Sequence, residues 1–342
     1  MSGLRLAGLL VLAALAGGVI WKSLPARTAS VEGPNPIAAL IPVEIGGMTQ
    51  WLLIRGADRE APMLLWLHGG PGAAQMPIHA ITAALERDFV VIHWDQRGAG
   101  KSNPRDFDAE SMTLGQYLAD AREVTAVLRT QVGGQPLIVV GHSWGTMLGA
   151  RLVARSPDEY AGYVGVGQQV NTMRGVALAL KWLHEVAPDS DLVARSPEAF
   201  RDHDLYVRLM QAVEAHGGGM NVSFASLLPT ALAAPEYRLP DYPRWLDGAN
   251  RGSGPMWADY VARDLFEDVP RMPVPTLLIS GTQDMNTPVA LVREWFEAVE
   301  AGQGKRMVVF DASGHAPFLT ETGKFIETLR DFGKEHAGTG GQ

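Results

Sequence analysis

The sequence predicts an α/β fold, with a mostly parallel sheet, helices on both faces, a helical insertion and a preceding N-terminal hydrophobic helix. Short apolar runs alternate with helical periodicity along much of the chain, which is typical of parallel α/β architecture. Strand patterns disappear over residues 170–268 and then return. The 342 residues are 46% apolar and 19% charged, so the chain can bury a large core.

The first element is an unbroken run of sixteen apolar or glycine residues, Leu6–Trp21, with Arg5 before it and Lys22 after it. As a helix it spans about 24 Å, short of a hydrocarbon core of about 30 Å. The run is typical of a short membrane anchor or a signal peptide, and an ordinary buried helix is the third interpretation. We expect residues 1–25 to be a signal anchor with the rest of the chain extracytoplasmic, or a cleaved signal of a secreted or periplasmic protein.

After a linker at residues 26–40, strand patterns divide the chain into three parts. Val43–Ile45 and Trp51–Arg55, separated by two glycines, predict a hairpin. Further strands are expected at Met63–Leu67, Phe89–Trp94, Leu137–Val140, Tyr163–Val166, Thr276–Ser280 and Met307–Phe310. We therefore expect core segments at residues 41–168 and 270–342, with a helical cap at residues 169–269 between them.

A nucleophile elbow is indicated by Gly141-His142-Ser143-Trp144-Gly145, which lies between a predicted strand and a predicted helix. This turn holds its serine in a strained conformation, and the two glycines let neighbouring backbone pass closely. The Ser143 hydroxyl would then project at a helix N-terminus, where developing negative charge is favoured.

A serine nucleophile needs a general base and an acid to orient that base, and in this type of turn they follow the serine in the order acid, then histidine. Asp284 follows the strand Thr276–Ser280, and His315 follows the strand Met307–Phe310. Asp311 is the rival acid. Ser143, Asp284 and His315 are therefore the candidate catalytic residues.

A glycine loop, His68-Gly69-Gly70-Pro71-Gly72, follows the strand Met63–Leu67. Such a loop can present backbone N–H groups to an oxyanion, together with the N–H of the residue after the nucleophile. We expect the Gly70 and Trp144 N–H groups to form the oxyanion hole, with Gly69 as the next candidate.

Several classes of function are disfavoured by composition. The net charge is −8 without a basic cluster, which disfavours a nucleic-acid partner. There are no cysteines, which excludes thiolate metal sites and a cysteine nucleophile. Gly98-Ala-Gly100-Lys101-Ser102 lacks the first glycine of a phosphate loop, since Asp95 occupies that position. We expect no metal or cofactor, and a turn in which Asp95 pairs with Arg97.

Taken together, these motifs resemble the α/β-hydrolase superfamily and, within it, the proline iminopeptidase (prolyl aminopeptidase) family. The resemblance depends on the glycine loop, on Trp94-Asp-Gln-Arg-Gly98 with Gly100-Lys-Ser102, on the elbow, and on the loops Gly281–Asp284 and Ser313–His315. It covers about residues 40–168 and 270–335. It implies an α/β-hydrolase fold, a triad of Ser143, Asp284 and His315, an oxyanion hole of Gly70 and Trp144, and a cap that roofs the site.

The cap carries less of the resemblance. Exopeptidases of that family hold the free amino terminus with cap glutamates, for which the candidates here are Glu185, Glu198, Glu214 and Glu236. The residue before the nucleophile is His142, where the family commonly has glutamate. These departures concern peptidase specificity rather than the hydrolytic chemistry.

The sequence thus predicts a serine hydrolase that cleaves a small amide, an N-terminal-proline peptide or an ester through an acyl-enzyme. A carboxylesterase or lactonase of the same fold is the alternative. Two hypotheses come from other classes of function: a non-catalytic binding protein, and a lyase or acyltransferase. The expected partner is a small molecule or short peptide, membrane contact is expected only through the N-terminal segment, and the oligomeric state stays open.

Overall fold

A computed structural model describes residues 22–337, whose centre is an eight-stranded sheet in the order β1-β2-β4-β3-β5-β6-β8-β10. The strands are β1 (Ile37–Ile45), β2 (Met48–Gly56), β3 (Met63–Leu67), β4 (Val90–Asp95), β5 (Leu137–His142), β6 (Gly162–Val166), β8 (Thr276–Gly281) and β10 (Lys305–Phe310). A separate parallel pair joins β7 (Arg271–Met272) to β9 (Glu300–Ala301). Only the β1–β2 and β2–β4 pairings are antiparallel in the main sheet, so the predicted mostly parallel sheet is confirmed.

The N-terminal hairpin is longer than its apolar pattern predicts. β1 and β2 each have nine residues, and they turn through Gly46 and Gly47, both with positive φ. β1 continues on the N-terminal side of Pro42, because a strand at the edge of the sheet tolerates a proline. β1 also begins at Ile37, inside the segment expected to be a linker.

Eleven α-helices surround the sheet in the described part of the chain. They are α1 (Leu114–Gln131), α2 (Trp144–Arg155), α3 (Thr172–Val186), α4 (His203–Ala215), α5 (Phe224–Ala233), α6 (Asp241–Arg251), α7 (Trp257–Ala262), α8 (Leu265–Asp268), α9 (Val289–Ala298), α10 (Pro317–Thr320) and α11 (Thr322–His336). A long 3₁₀ segment also covers Met76–Arg87. α1 shows how local sequence sets a boundary, because the Thr113 side chain accepts a hydrogen bond from the Gln116 N–H at its start.

Two apolar cores lie on opposite faces of the sheet. Leu65 and Leu67 of β3 contribute to the core shared with α1 and α2. Leu64 and Trp66, the alternate residues of the same strand, contribute to the core shared with α11. This alternation follows from the two-residue repeat of a strand, and it explains why the inner strands are continuous apolar runs.

The segment between β6 and β7 contains α3 to α8 and forms the cap. Part of the cap has a small core of its own, which includes Val176, Leu183, Leu209 and Val213. A second cluster, including Ala74 and Trp245, joins the cap to the sheet domain.

The turn after β4 fixes the cap by polar contacts. Lys101 Nζ lies 2.7 Å from the Asp241 carboxylate, and the Asn103 side-chain amide donates to the Arg244 carbonyl at 2.9 Å. The expected Asp95–Arg97 pair is wrong. Arg97 instead bonds Asp120 of α1 at 2.8 Å, while Asp95 accepts from the Lys101 N–H and from the Tyr237 hydroxyl, because the two side chains leave the turn in different directions.

The predicted hydrophobic helix lies at residues 1–21, outside the described residues. Within residues 22–337, none of the helices combines the length and the apolar character needed to cross a membrane. Residues 22–27 lie against the cap, where the Arg27 N–H donates to the Pro235 carbonyl at 3.2 Å.

Candidate active site

The site lies at the edge of the sheet where the carboxyl ends of the six parallel strands meet. The loops after β3, β5, β8 and β10 carry the glycine loop, Ser143, Asp284 and His315, in that order. This edge is the usual ligand-binding edge of open parallel sheets. The sequence-predicted residues therefore converge because their strands are parallel neighbours.

Ser143 has the strained backbone that the motif predicts, with φ 53° and ψ −117°. A Cβ at Gly145 would lie 2.0 Å from the Leu67 carbonyl oxygen, and one at Gly141 would lie 2.5 Å from the Gly145 oxygen. Glycine is therefore required at both positions. The Ser143 N–H donates to the Val166 carbonyl at 3.0 Å, which ties the turn to β6 and places Ser143 at the N-terminus of α2.

His315 and Asp284 are in direct contact. His315 Nδ1 lies 2.9 Å from Asp284 Oδ2, and their side chains are only 5% and 0% exposed. The carboxylate also accepts two backbone N–H bonds at 2.9 Å, from Asn286 and Thr287, and one from the Thr287 hydroxyl at 2.7 Å. A carboxylate held in this way accepts the Nδ1–H of His315 and leaves Nε2 as the proton-accepting nitrogen.

The rival acid, Asp311, is exposed, and its backbone carbonyl accepts a hydrogen bond from the Thr282 hydroxyl at 2.9 Å. Asp284 and not Asp311 therefore lies against His315.

Ser143 and His315 line the same cavity, which has a volume of about 320 Å³. Gly69, Gly70 and His142 also line it. Its apolar walls are formed by Ala73, Ala74, Ile78, Met220, Phe224, Leu227, Trp245, Leu246, Ala249, Phe318 and Leu319, and its remaining polar side chains are Gln75 and Asn286. The lining contains no aspartate, glutamate, lysine or arginine.

The glycine loop is held in one conformation by His68. Gly70 has a φ of 112°, which favours glycine, and the Gly70–Pro71 peptide bond is cis. His68 Nδ1 donates to the Gly69 carbonyl at 2.8 Å, and its Nε2 accepts from the Gln96 N–H at 3.1 Å. Burial lowers the pKa of His68 to about 4, although its bond to the Gly69 carbonyl opposes this shift, so the ring is neutral near pH 7.

Gln96 joins the glycine loop to the elbow. Its side-chain amide donates to the His68 carbonyl and accepts from the Trp144 indole N–H, each at 3.1 Å. From the cap, the Tyr260 hydroxyl donates to the Gly70 carbonyl at 2.8 Å, and its ring stacks on Trp144. The sequence indicates the motif that contains Gln96 but not the bonds of its side chain to His68 and Trp144. No pattern near Tyr260 indicates that it contacts the glycine loop.

His142, the residue before Ser143, packs against His315. Its ring centroid lies 4.9 Å from that of His315, and its Nε2–H donates to the His315 carbonyl at 3.0 Å. Burial, with a smaller contribution from His315, lowers the pKa of His142 to about 3. His142 is therefore a neutral hydrogen-bond donor that helps to hold the backbone of His315.

The candidate cap glutamates do not reach the cavity. Three of them are exposed on the cap: Glu185, Glu198 and Glu214. Glu236 is fully buried, with its carboxylate 3.4 Å from His79 Nε2. The structure thus brings together the sheet-borne candidates and leaves all four glutamates outside the cavity lining.

Comparison with known proteins agrees with this geometry. A family model described as "alpha/beta hydrolase fold" matches residues 62–322. The chain is 29% identical over 313 residues to "Probable aminopeptidase YbaC" of Bacillus subtilis (strain 168), covering 88% of this chain and 98% of that protein. It is 24% identical over 332 residues to "Proline iminopeptidase" of Lactobacillus crispatus (strain ST1), covering 90% and 99%.

A similar solved structure is that of proline iminopeptidase from Mycobacterium smegmatis, with a TM-score of 0.66 and 22% identity. The match covers 87% of this chain and 99% of the other. At this level of identity the match shows a shared fold.

Proposed function

The chain belongs to the α/β-hydrolase fold family, and from that premise we propose that it is a serine hydrolase with Ser143 as nucleophile, His315 as base and Asp284 as orienting acid. The observation that carries the proposal is the Asp284–His315 hydrogen bond beside a cavity that His315 shares with the strained Ser143.

In the first half of the reaction, His315 Nε2 accepts the Ser143 hydroxyl proton while the oxygen attacks the substrate carbonyl. The N–H groups of Gly70 and Trp144 stabilise the resulting oxyanion, with the Gly69 N–H as the alternative donor. Collapse of the tetrahedral intermediate breaks the bond to the leaving alcohol or amine, which takes the proton from His315. An acyl group then remains on Ser143.

In the second half, His315 removes a proton from water, which attacks the acyl-enzyme. The acid leaves and Ser143 regains its proton. Asp284 stays ionised in both halves, because its part is to hold the Nδ1–H and to stabilise the imidazolium that forms.

We propose that the substrate is an uncharged ester or amide with an apolar acyl part. The support is the cavity wall, which is largely apolar and has no charged side chain. Placing an ammonium group in such a cavity without a partner would cost several kcal/mol, whereas an apolar acyl chain gains by burial.

The second candidate is aminopeptidase activity on peptides with an N-terminal proline. It is favoured by the names of the two relatives, one called a probable aminopeptidase and the other a proline iminopeptidase. N-acetylation of the substrate separates the two proposals. An apolar-acyl hydrolase should cleave N-acetyl-prolyl 2-naphthylamide at least as fast as the free prolyl compound, and p-nitrophenyl butyrate faster than both. Preference for the free amine would instead support the aminopeptidase.

The hydrolase proposal itself is tested with the Ser143→Ala variant on the same substrates. Loss of the nucleophile should lower kcat by about 10⁴-fold or more. Hydrolysis at the wild-type rate by a folded Ser143→Ala protein would refute the proposal.

We also propose that residues 1–25 are a retained membrane anchor, with secretion after cleavage as the alternative. The support is the apolar run Leu6–Trp21 between two basic residues. N-terminal sequencing of exported protein should begin at the start of the chain. A start beyond residue 16 would favour cleavage.

A further inference from the structure

Helix α5 of the cap exposes an unusual apolar stripe. Phe224, Leu228 and Leu232 are 48%, 37% and 52% exposed, and their spacing of four residues places them on one side of the helix. Residues Gly217 to Pro235 contain no charged side chain. Scattered exposed leucines are ordinary, but a stripe without a charge nearby indicates a surface that is covered in use.

The same surface surrounds the mouth of the active-site cavity. Phe224 lines the cavity and is half exposed, and Leu246 of α6 is 43% exposed and also lines it. The adjacent side of α5 faces inward, since Leu227 lines the cavity and Ala231 is buried. We call Phe224, Leu228, Leu232 and Leu246 the cap apolar face.

The N-terminal part of the chain reaches the cap at the C-terminal end of α5. Lys22 Nζ donates to the carbonyls of Ala234 and Tyr237, at 2.6 and 2.8 Å, and the Leu239 N–H donates to the Lys22 carbonyl at 3.3 Å. The sixteen-residue apolar run of the sequence ends at Trp21, directly before this attachment. Lys22, the residue that follows the apolar run, is thus bonded beside the C-terminal end of the helix that carries the exposed stripe.

A lipid bilayer can bury both the run Leu6–Trp21 and the exposed stripe on α5, whereas contact between the two would leave most of the run exposed. The run Leu6–Trp21 has no charged side chain and no polar side chain other than the Trp21 indole, so a stripe of three side chains on α5 could cover only one side of it. A segment that is apolar all round is stable in a protein core or in a bilayer. We propose that the cap apolar face docks on a lipid bilayer, so that the mouth of the cavity opens towards the membrane surface.

This docking depends on apolar contact rather than on charge. The chain has a net charge of −8, which gives no general attraction to anionic lipid. Binding should therefore be as strong to phosphatidylcholine vesicles as to vesicles containing phosphatidylglycerol, and it should change less than two-fold between low and high salt.

A single introduced cysteine reports the contact directly, because the full chain contains none. Leu232→Cys carries an environment-sensitive fluorophore, and the full-length protein is mixed with phosphatidylcholine vesicles with or without nitroxide-labelled lipid. We expect a blue shift on vesicle addition and at least two-fold quenching by the nitroxide lipid. The matched control is Val186→Cys, an exposed apolar cap residue on α3, which should show neither effect.

Three outcomes would overturn the proposal. The label could stay solvent-like although the protein binds vesicles, which would place all membrane contact in the N-terminal segment. It could be shielded before vesicles are added, which would mean that residues 1–21 cover the face. Shielding that depends on protein concentration would instead identify a second copy of the chain as the partner.

A functional experiment uses Leu228→Glu with Leu232→Glu, neither of which lines the cavity. We expect at least a ten-fold lower rate on a vesicle-embedded ester and less than a two-fold change on a soluble short-chain ester. The control pair Val186→Glu with Val207→Glu should change neither rate. Equal loss on both substrates, or no loss on either, would contradict docking. The fluorescence result does not require activity, and it should be the same in a Ser143→Ala background, so failure of the hydrolase proposal is separately visible.

Discussion

Two aspartates follow strands at the edge of the sheet that carries Ser143, and only Asp284 contacts His315. Asp284→Asn would keep the shape but cannot accept the Nδ1–H in the same way, which favours the wrong tautomer of His315. We predict a fall in kcat of about 10³- to 10⁴-fold, measured on a soluble p-nitrophenyl ester.

The matched control is Asp311→Asn, since Asp311 is exposed and the Thr282 hydroxyl bonds its backbone carbonyl, which the substitution keeps. It should change kcat less than two-fold. The reverse pattern, with Asp311→Asn inactive and Asp284→Asn active, would assign the acid to Asp311.

His142 gives the site a dependence of stability on pH. Its pKa in the folded protein is about 3, against about 6.5 in an unfolded chain, so protons favour the unfolded chain as the pH falls below about 6.5. His142→Gln can still donate to the His315 carbonyl but does not titrate. We predict that lowering the pH from 7.5 to 4.5 reduces the unfolding free energy of the wild type by about 2–3 kcal/mol more than that of the variant.

Urea unfolding at the two pH values measures this shift. Comparison with the variant is necessary because other groups also titrate. The pKa of His68, lowered to about 4, acts in the same direction, whereas burial raises the pKa of Asp95 to about 7 and acts in the opposite one. Parallel pH profiles for wild type and variant would show that His142 titrates normally.

The sequence predicts the position of a single residue well where a local motif contains it. It predicts the contacts of a residue poorly where its bonding partner belongs to a distant element. The elbow and the loops after β8 and β10 are each read from a few adjacent residues. The pairing of Arg97 with Asp120, the contact of Tyr260 with Gly70 and the positions of the cap glutamates depend on how elements pack, which no local pattern encodes.

At the scale of one element, the elbow is the most constrained segment of the site. A methyl group at Gly145 would overlap the Leu67 carbonyl, whereas one at Gly115, near the start of α1, meets only Thr113 Oγ1 at 4.0 Å. We predict that Gly145→Ala destabilises the protein by about 2–4 kcal/mol or prevents folding. Gly115→Ala should stabilise it by about 0.5–1 kcal/mol.

Thermal or urea unfolding of the two variants checks this pair. A fully stable Gly145→Ala protein would mean that α2 can move away from β3. The claim that the elbow is rigid would then be wrong.

The buried strands are the elements that sequence predicts best. β3, β4, β5, β6 and β8 are fully buried, so each appears as a continuous apolar run with a turn after it. The two-residue strands β7 and β9 were missed, because an element of that length has no periodicity. The sequence underestimates the length of β1 for another reason, since Pro42 normally ends a strand and is tolerated here only because β1 lies at the sheet edge.

At the scale of the whole molecule, the cap is attached to the sheet domain by a buried ion pair, Lys101–Asp241. Lys101 Nζ also lies over the Trp51 and Tyr237 rings. Asp241→Asn would leave the lysine charge without its partner, and we predict a loss of about 3–5 kcal/mol of unfolding free energy. Urea unfolding measures it.

The control for this prediction is Glu300→Gln, which breaks the exposed Arg271–Glu300 pair and should cost less than about 0.5 kcal/mol. Equal small effects of both variants would show that the cap is held by its apolar contacts alone.

The division into a sheet domain and a helical insertion could be predicted because strand patterns stop after β6 and return at β8. How the cap sits on the sheet could not. That depends on contacts such as Trp245 with the Ala74 carbonyl and Gly72 with Gly248, which join segments far apart in sequence. The shape of the cavity depends on the same packing, since Ala74 and Trp245 both line it.

The central claim, that Ser143 is the nucleophile of a serine hydrolase, is tested most directly by covalent labelling. The full-length protein is treated with a fluorophosphonate, digested, and the modified peptide located by mass spectrometry. The account predicts one phosphonyl adduct, on Ser143, absent from Ser143→Ala and strongly slowed in Asp284→Asn. A folded wild-type protein that stays unlabelled, or one labelled equally after Ser143→Ala, would contradict it.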